Sequence, residues 1–140
     1  MKTAVIYWSG TGNTQAMAEA VAEGAKNAGA EAELLTASEF DPKTAGDYDA
    51  LAFGCPAMGA EELEDSEFAP MFEAVKPSLK GKKIALFGSY GWGDGEWMRN
   101  WEEDCASTGC VFAADSVTCN EAPDDDGLEA CRALGAALAS

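Results

Sequence analysis

The chain contains no histidine in its 140 residues. Catalysis by a Cys–His pair is therefore impossible, and a zinc site is disfavoured. Its five cysteines, Cys55, Cys105, Cys110, Cys119 and Cys131, are odd in number, and no two form a C-x-x-C pair. They read as small buried hydrophobes in a reducing compartment. No apolar run approaches the ~20 residues of a membrane span. The N-terminus lacks the basic start and long apolar stretch of a signal peptide. A cytoplasmic protein is expected. Basic residues are scarce: 9 Lys and Arg stand against 25 Asp and Glu, a formal net charge of −16. That balance argues strongly against nucleic acid or an anionic membrane as partner, and it favours a monomer.

An apolar content of 47% excludes a disordered chain, and the length suits one domain over residues 1–140. The charge is segregated. Glu61, Glu62, Glu64, Asp65 and Glu67 form one acidic cluster, and Asp94 with Glu96 a second. Glu102-Glu103-Asp104 and Asp124-Asp125-Asp126 are two more, whereas Lys76, Lys80, Lys82 and Lys83 gather together.

Strand and helix patterns alternate along the chain. Apolar, β-branched runs predict strands at Ala4–Trp8, Ala32–Thr36, Ala50–Gly54 and Lys83–Gly88. A fifth strand covers Val111–Ala114 and Val117–Cys119, interrupted around Asp115-Ser116. Helical spacing appears in Met17–Ala28, closed by Gly29, and in Phe68, Met71, Phe72, Val75 and Leu79, with Asp65 or Ser66 as cap. It recurs in Trp97, Met98, Trp101 and Cys105, and in Cys131, Leu134, Gly135 and Leu138. Five strands alternating with four helices predict an α/β fold: a doubly wound five-stranded parallel sheet, order 2-1-3-4-5, with helices on both faces. A ligand then lies beyond the carboxyl ends of strands one, three and four.

Three loops converge at that edge. The first, Ser9-Gly10-Thr11-Gly12-Asn13-Thr14, joins strand one to a helix beginning near Gln15. Its glycines let the backbone curl so that successive N–H groups aim at one point, where the helix N-terminus favours an anion. Ser9, Thr11, Asn13 and Thr14 add side-chain donors. A triphosphate loop needs Lys-Ser/Thr after Gly12, and a dinucleotide loop needs glycine where Gln15 stands. No Lys or Arg occurs from Thr3 to Val21. The loop thus suits one terminal phosphate held by neutral hydrogen bonds without a metal ion. The second loop runs Pro56-Ala57-Met58-Gly59-Ala60-Glu61, in which Met58 suits packing on a flat ring. The third, Ser89-Tyr90-Gly91-Trp92-Gly93-Asp94-Gly95, sets Trp92 between glycines at a loop tip, as for stacking on a ligand. Trp97 and Trp101 read as core.

A phosphate and a flat aromatic ring, with no acid–base machinery, point to flavin mononucleotide. The chain resembles the flavodoxins, of the short-chain type found in anaerobic bacteria. Three blocks carry the resemblance in order: Tyr7 to Thr14, Gly54 to Leu63, and Leu86 to Gly95. It implies a low-potential one-electron carrier using non-covalent FMN between semiquinone and hydroquinone, not an enzyme. Ser9 to Thr14 would hold the phosphate, and Pro56 to Glu62 would border the pyrimidine and N5 edge. The peptide at Met58-Gly59 would turn over on one-electron reduction, offering a carbonyl to the N5–H. Glu61 would accept from N3–H, Trp92 would stack outside and Met58 inside. Ser89, Tyr90 and Asn120 would contribute looser contacts. Ala60 stands where relatives often carry a polar side chain, and Pro56 removes a backbone donor.

The acidic clusters at 61–67, 94–96 and 124–126 would surround the flavin edge and steer it toward basic patches on oxidoreductases that otherwise use ferredoxin. The alternative is a small FMN-dependent NAD(P)H:quinone reductase, for which 140 residues leave little room beside a second substrate. A receiver domain of similar topology lacks its acidic metal pocket here, since strand one leads into Ser-Gly-Thr-Gly and strand three ends at Gly54-Cys55.

Overall fold

The computed structural model describes residues 1–59, 62–91 and 93–140. Strand β1 (Lys2–Tyr7) lies between β2 (Glu31–Thr36) and β3 (Ala50–Gly54), and β3 pairs with β4 (Lys83–Tyr90). Every pairing is parallel. The fifth position is split as the sequence predicts. Strand β5 (Val111–Phe112) pairs with Lys83 and Ile84, and β6 (Val117–Asn120) pairs with Phe87 to Tyr90. The order is therefore 2-1-3-4 followed by the divided fifth strand, as expected.

Alternation along the strands divides the core in two. Ala4, Ile6, Leu51, Phe53, Ile84 and Leu86 point to the face covered by α2 (Phe68–Val75) and α3 (Glu96–Ala106). There Phe68, Phe72 and Trp101 form an aromatic cluster, with Trp101 edge-on to both rings at 5.5 and 5.6 Å. Val5, Ala50, Ala52, Ala85 and Phe87 point to the other face, covered by α1 (Asn13–Asn27) and α4 (Asp125–Leu138). That face is lined by small residues, and the two helices meet through glycine. A Cβ on Gly24 would stand 1.9 Å from the Arg132 carbonyl oxygen, and one on Gly135 1.9 Å from that of Val21. Trp97 and Trp101 are buried, as anticipated, and so are four of the cysteines; Cys110 is half-buried, and all five are free thiols.

Several boundaries differ from the sequence reading. Helix α1 begins at Asn13, because Gly12 takes a left-handed conformation (φ 94°) that turns the chain directly into the helix. Its other end follows the expected pattern: Gly29 (φ 96°) donates to Lys26 and Ala30 donates to Ala25, closing a Schellman motif. Strand β4 runs on to Tyr90, since β6 supplies backbone partners there, so Ser89 and Tyr90 belong to a strand and not to the loop. Helix α2 stops at Val75, and Leu79 follows a 3-10 turn through Pro77, whose missing N–H and ring end the α-helix. The Asp41–Asp47 loop contains a 3-10 turn (Pro42–Asp47), with the Asp41 carboxylate accepting from the Lys43 N–H at 3.0 Å.

The cap of α2 is a correction. Neither Asp65 nor Ser66 caps it. The Glu64 carboxylate accepts from the N–H of Ser66 (2.8 Å), Glu67 (2.7 Å) and Phe68 (2.8 Å), and from the Ser66 hydroxyl. Glu64 is only 5% exposed, so it leaves the surface acidic cluster in which its sequence neighbours place it.

Candidate functional site

The carboxyl ends of β1, β3, β4 and β6 open around one cavity of about 550 Å³. Gly10, Thr11 and Asn13 line it from the first loop, Pro56, Ala57 and Met58 from the second, and Ser89, Tyr90 and Gly91 from the end of β4. Trp8, Glu121 and Ala122 complete the wall. Ser9, Gly12, Thr14, Gly59 and Asn120 do not line it, though each supports a residue that does or stands next to one. Ala60, Glu61 and Trp92, three of the sequence-predicted site residues, lie outside the described residues.

The first loop is organised by its own hydroxyls. Ser9 Oγ accepts from the Gly12 N–H at 3.0 Å, and Thr11 Oγ1 accepts weakly from Asn13 at 3.5 Å. No side chain caps α1. Its first-turn N–H groups therefore keep the partial positive charge that suits an anion. Thr14 is turned inward, with Oγ1 3.2 Å from Ser89 Oγ in a buried contact, so its hydroxyl ties the loop to β4. The Trp8 ring overlies Gly10: a Cβ there would meet the ring at 3.1 Å. Glycine thus lets the loop pass beneath the indole.

The second loop leaves β3 with successive anchors. Cys55 N–H donates to Phe87 O (3.2 Å) and Ala57 N–H to Ser89 O (3.0 Å). Met58 and Glu62 then exchange both backbone hydrogen bonds, at 2.8 and 2.9 Å. The Met58 carbonyl thus accepts from Glu62, and the next residue, Gly59, takes a left-handed conformation (φ 51°). Met58 is 36% exposed, and with Trp8 it also lines a second hollow of about 250 Å³, together with Gly59, Glu62 to Asp65.

The third wall was not legible as such. Glu121 has φ 57°, the one non-glycine residue with positive φ among the described residues. Its N–H donates to Tyr90 O at 2.7 Å, and Asn120 Nδ2 donates to the same oxygen at 3.3 Å. Asn120 therefore positions the wall without lining it. Tyr90 in turn packs on Trp97, with ring centroids 5.6 Å apart.

Among the described residues the lining holds no basic residue and one carboxylate, Glu121. Exposed Glu62, Asp65, Asp94, Asp124 and Asp125 stand on the segments at this edge, whereas Lys2, Lys82 and Lys83 sit where strands begin, at the opposite edge. Burial pushes the Cys55 thiol up to about 12, and the thiols of Cys119 and Cys105 upward as well. No His/Cys/Asp/Glu group with metal-binding geometry occurs among the described residues. No helix among them is long and apolar enough to cross a membrane.

The Flavodoxin family profile matches residues 5–135. A flavodoxin of Megasphaera elsdenii is 45% identical over 135 residues, covering 96% of each chain. One from Clostridium beijerinckii is 45% identical over 121 residues, 86% of this chain and 88% of its own. The solution structure of the two-electron reduced Megasphaera elsdenii protein superposes with a TM-score of 0.89 at 44% identity, over 98% of both chains.

Proposed function

The chain belongs to the flavodoxin family, FMN-binding electron carriers, and from that premise we propose how its residues hold and tune the cofactor. The relatives favour a carrier over a quinone reductase that turns over its own substrate. When bound, FMN supplies reversible one-electron chemistry, and the protein supplies binding, orientation and electrostatics.

The residues present fit that group. The cavity of about 550 Å³ falls in the range of cofactor sites and combines hydroxyl and backbone donors with apolar walls. In this reading Ser9 to Thr14 hold the phosphate by neutral hydrogen bonds and the α1 N-terminus. Thr11 and Asn13 reach it directly, while Ser9, Gly12 and Thr14 hold the loop in shape. Pro56, Ala57, Met58 and Tyr90 form the apolar bed, joined by Trp8. Ser89, Gly91 and Asn120 shape the β4 and β6 side. Family resemblance assigns Glu61 to the N3–H and Trp92 to the outer face of the ring, with Ala60 between Gly59 and Glu61. By the same resemblance the Met58-Gly59 peptide would offer the carbonyl that accepts from the flavin N5–H. Glu121 and the net charge of −16 disfavour added negative charge in the cavity, which sets a low potential for the second electron.

The observation that carries this reading is the convergence of an uncapped helix N-terminus and an apolar, cation-free wall on one cavity. One domain spans residues 1–140, acting as a cytoplasmic monomer. Its acidic edge meets basic patches on redox enzymes, including those that otherwise use ferredoxin. Binding tests it. FMN should quench on titration and bind at least about tenfold more tightly than riboflavin, the size of one well-made phosphate contact, while NAD(P)H is not consumed. Equal affinity for riboflavin, or steady NAD(P)H oxidation, overturns it.

A further inference from the structure

Glu64 is a buried carboxylate that the cofactor reading does not use. It lies where the second loop returns to the fold. Its side chain takes three N–H groups at the start of α2 and its carbonyl accepts from Ala69 at 2.8 Å. Its own N–H donates to Cys55 Sγ at 3.4 Å, across the mouth of the loop. Cys55 is fixed in turn: its carbonyl accepts from Trp97 Nε1 at 3.1 Å, and its N–H donates to β4. The loop is thus closed by two nested contacts, Cys55–Glu64 outside and Met58–Glu62 inside. Only residues 59–61 lie within the inner one.

A helix cap alone would need none of this. Many residues cap helices, but here the capping residue also bridges to the strand from which the loop departs. Hydrogen bonds to an ionised acceptor are the stronger kind, so the charge on Glu64 strengthens the hold on the outgoing end of the loop.

We propose that Glu64 is a positioning residue for the cofactor loop. Its carboxylate fastens the loop's outgoing end to the start of α2, beside the Cys55 contact made by its own backbone N–H. It thereby sets the separation between the first- and second-electron potentials of bound FMN. This rests on the electron-carrier reading above.

The test uses FMN-loaded wild-type protein, Glu64→Ala, Glu64→Gln and, as a cap-loss control away from the loop, Asp41→Ala. An anaerobic spectroelectrochemical titration reads both one-electron potentials. In Glu64→Ala the ratio of the two one-electron equilibrium constants should fall about tenfold, within the range for uncoupling two directly bonded elements. Glu64→Gln keeps an acceptor oxygen and should recover part of that loss. Asp41→Ala should match wild type. A wild-type ratio in Glu64→Ala, or an equal fall in Asp41→Ala, overturns the proposal. If Glu64→Ala does not fold, Glu64→Gln decides, and an unchanged ratio there overturns it. A wild-type protein without two separable one-electron steps overturns the electron-carrier reading itself, and this inference with it.

Discussion

The hydroxyls of Thr14 and Ser89 lie 3.2 Å apart in a buried contact, although 75 residues separate them in sequence. They join the first turn of α1 to the end of β4, two walls of the same cavity. Replacing Thr14 by Val keeps the shape and leaves the Ser89 hydroxyl buried without its partner. The expected cost is about 1–2 kcal/mol. The double variant Thr14→Val/Ser89→Ala should lose less than the sum of the two single changes, because both remove one contact. Urea unfolding of the four proteins measures this; strict additivity would show that the contact contributes nothing.

Gly59 has φ 51° and open space around its Cα, with nothing within 4 Å of an added Cβ. Strain, not collision, is therefore the penalty for a side chain. Gly59→Val should cost about 1–2 kcal/mol in the left-handed conformation and hinder the turn of the peptide that meets N5. The long-wavelength absorbance reached halfway through reduction should fall. An unchanged yield would remove Gly59 from the switch.

Acid should reveal Glu64. Burial alone would raise its carboxyl pKa, but hydrogen bonds from Ser66, Phe68 and Glu67 outweigh burial and hold it at about 2, below the ordinary 4.5. A depressed folded value means the stabilisation is complete above pH 4.5 and is lost as pH falls toward 2. The urea midpoint should fall more steeply across that window in wild type than in Glu64→Gln. Parallel curves would show that the ionised carboxylate is not responsible.

The charge layout predicts salt-sensitive partner encounter. Exposed Asp65, Asp94 and Asp124 stand at the cavity edge, and Lys82 and Lys83 at the far one. Second-order electron-transfer rates to a redox enzyme with a basic docking face should drop as ionic strength rises. Stopped-flow rates independent of salt would dismiss electrostatic steering.

Much of this was legible in the sequence, for identifiable reasons. Strand β3 is apolar at every position from Ala50 to Gly54, and its bounds were read correctly. The phosphate-type loop announced itself by glycine and hydroxyl residues between a strand and a helix. The split fifth strand followed from Asp115-Ser116. Glu64 was not legible, because a long carboxylate among four other acids looks like solvated charge. Cap rules look for short side chains beside the helix, and Glu64 reaches the first turn from upstream. The length of β4 was hidden because Gly88-Ser89 resembles a loop, and only pairing with Val117–Asn120 extends it. Trp8 could have been found, as an aromatic residue standing between the end of β1 and the loop. Glu121 could not, since a left-handed glutamate is set by hydrogen bonds to Tyr90 and leaves no mark in composition.

The most direct measurement is an anaerobic reductive titration of the FMN-loaded protein followed by visible absorbance. The account predicts a long-wavelength band that rises with the first electron and bleaches only at strongly negative potential. Direct bleaching in a single two-electron step, with no band between, would contradict it.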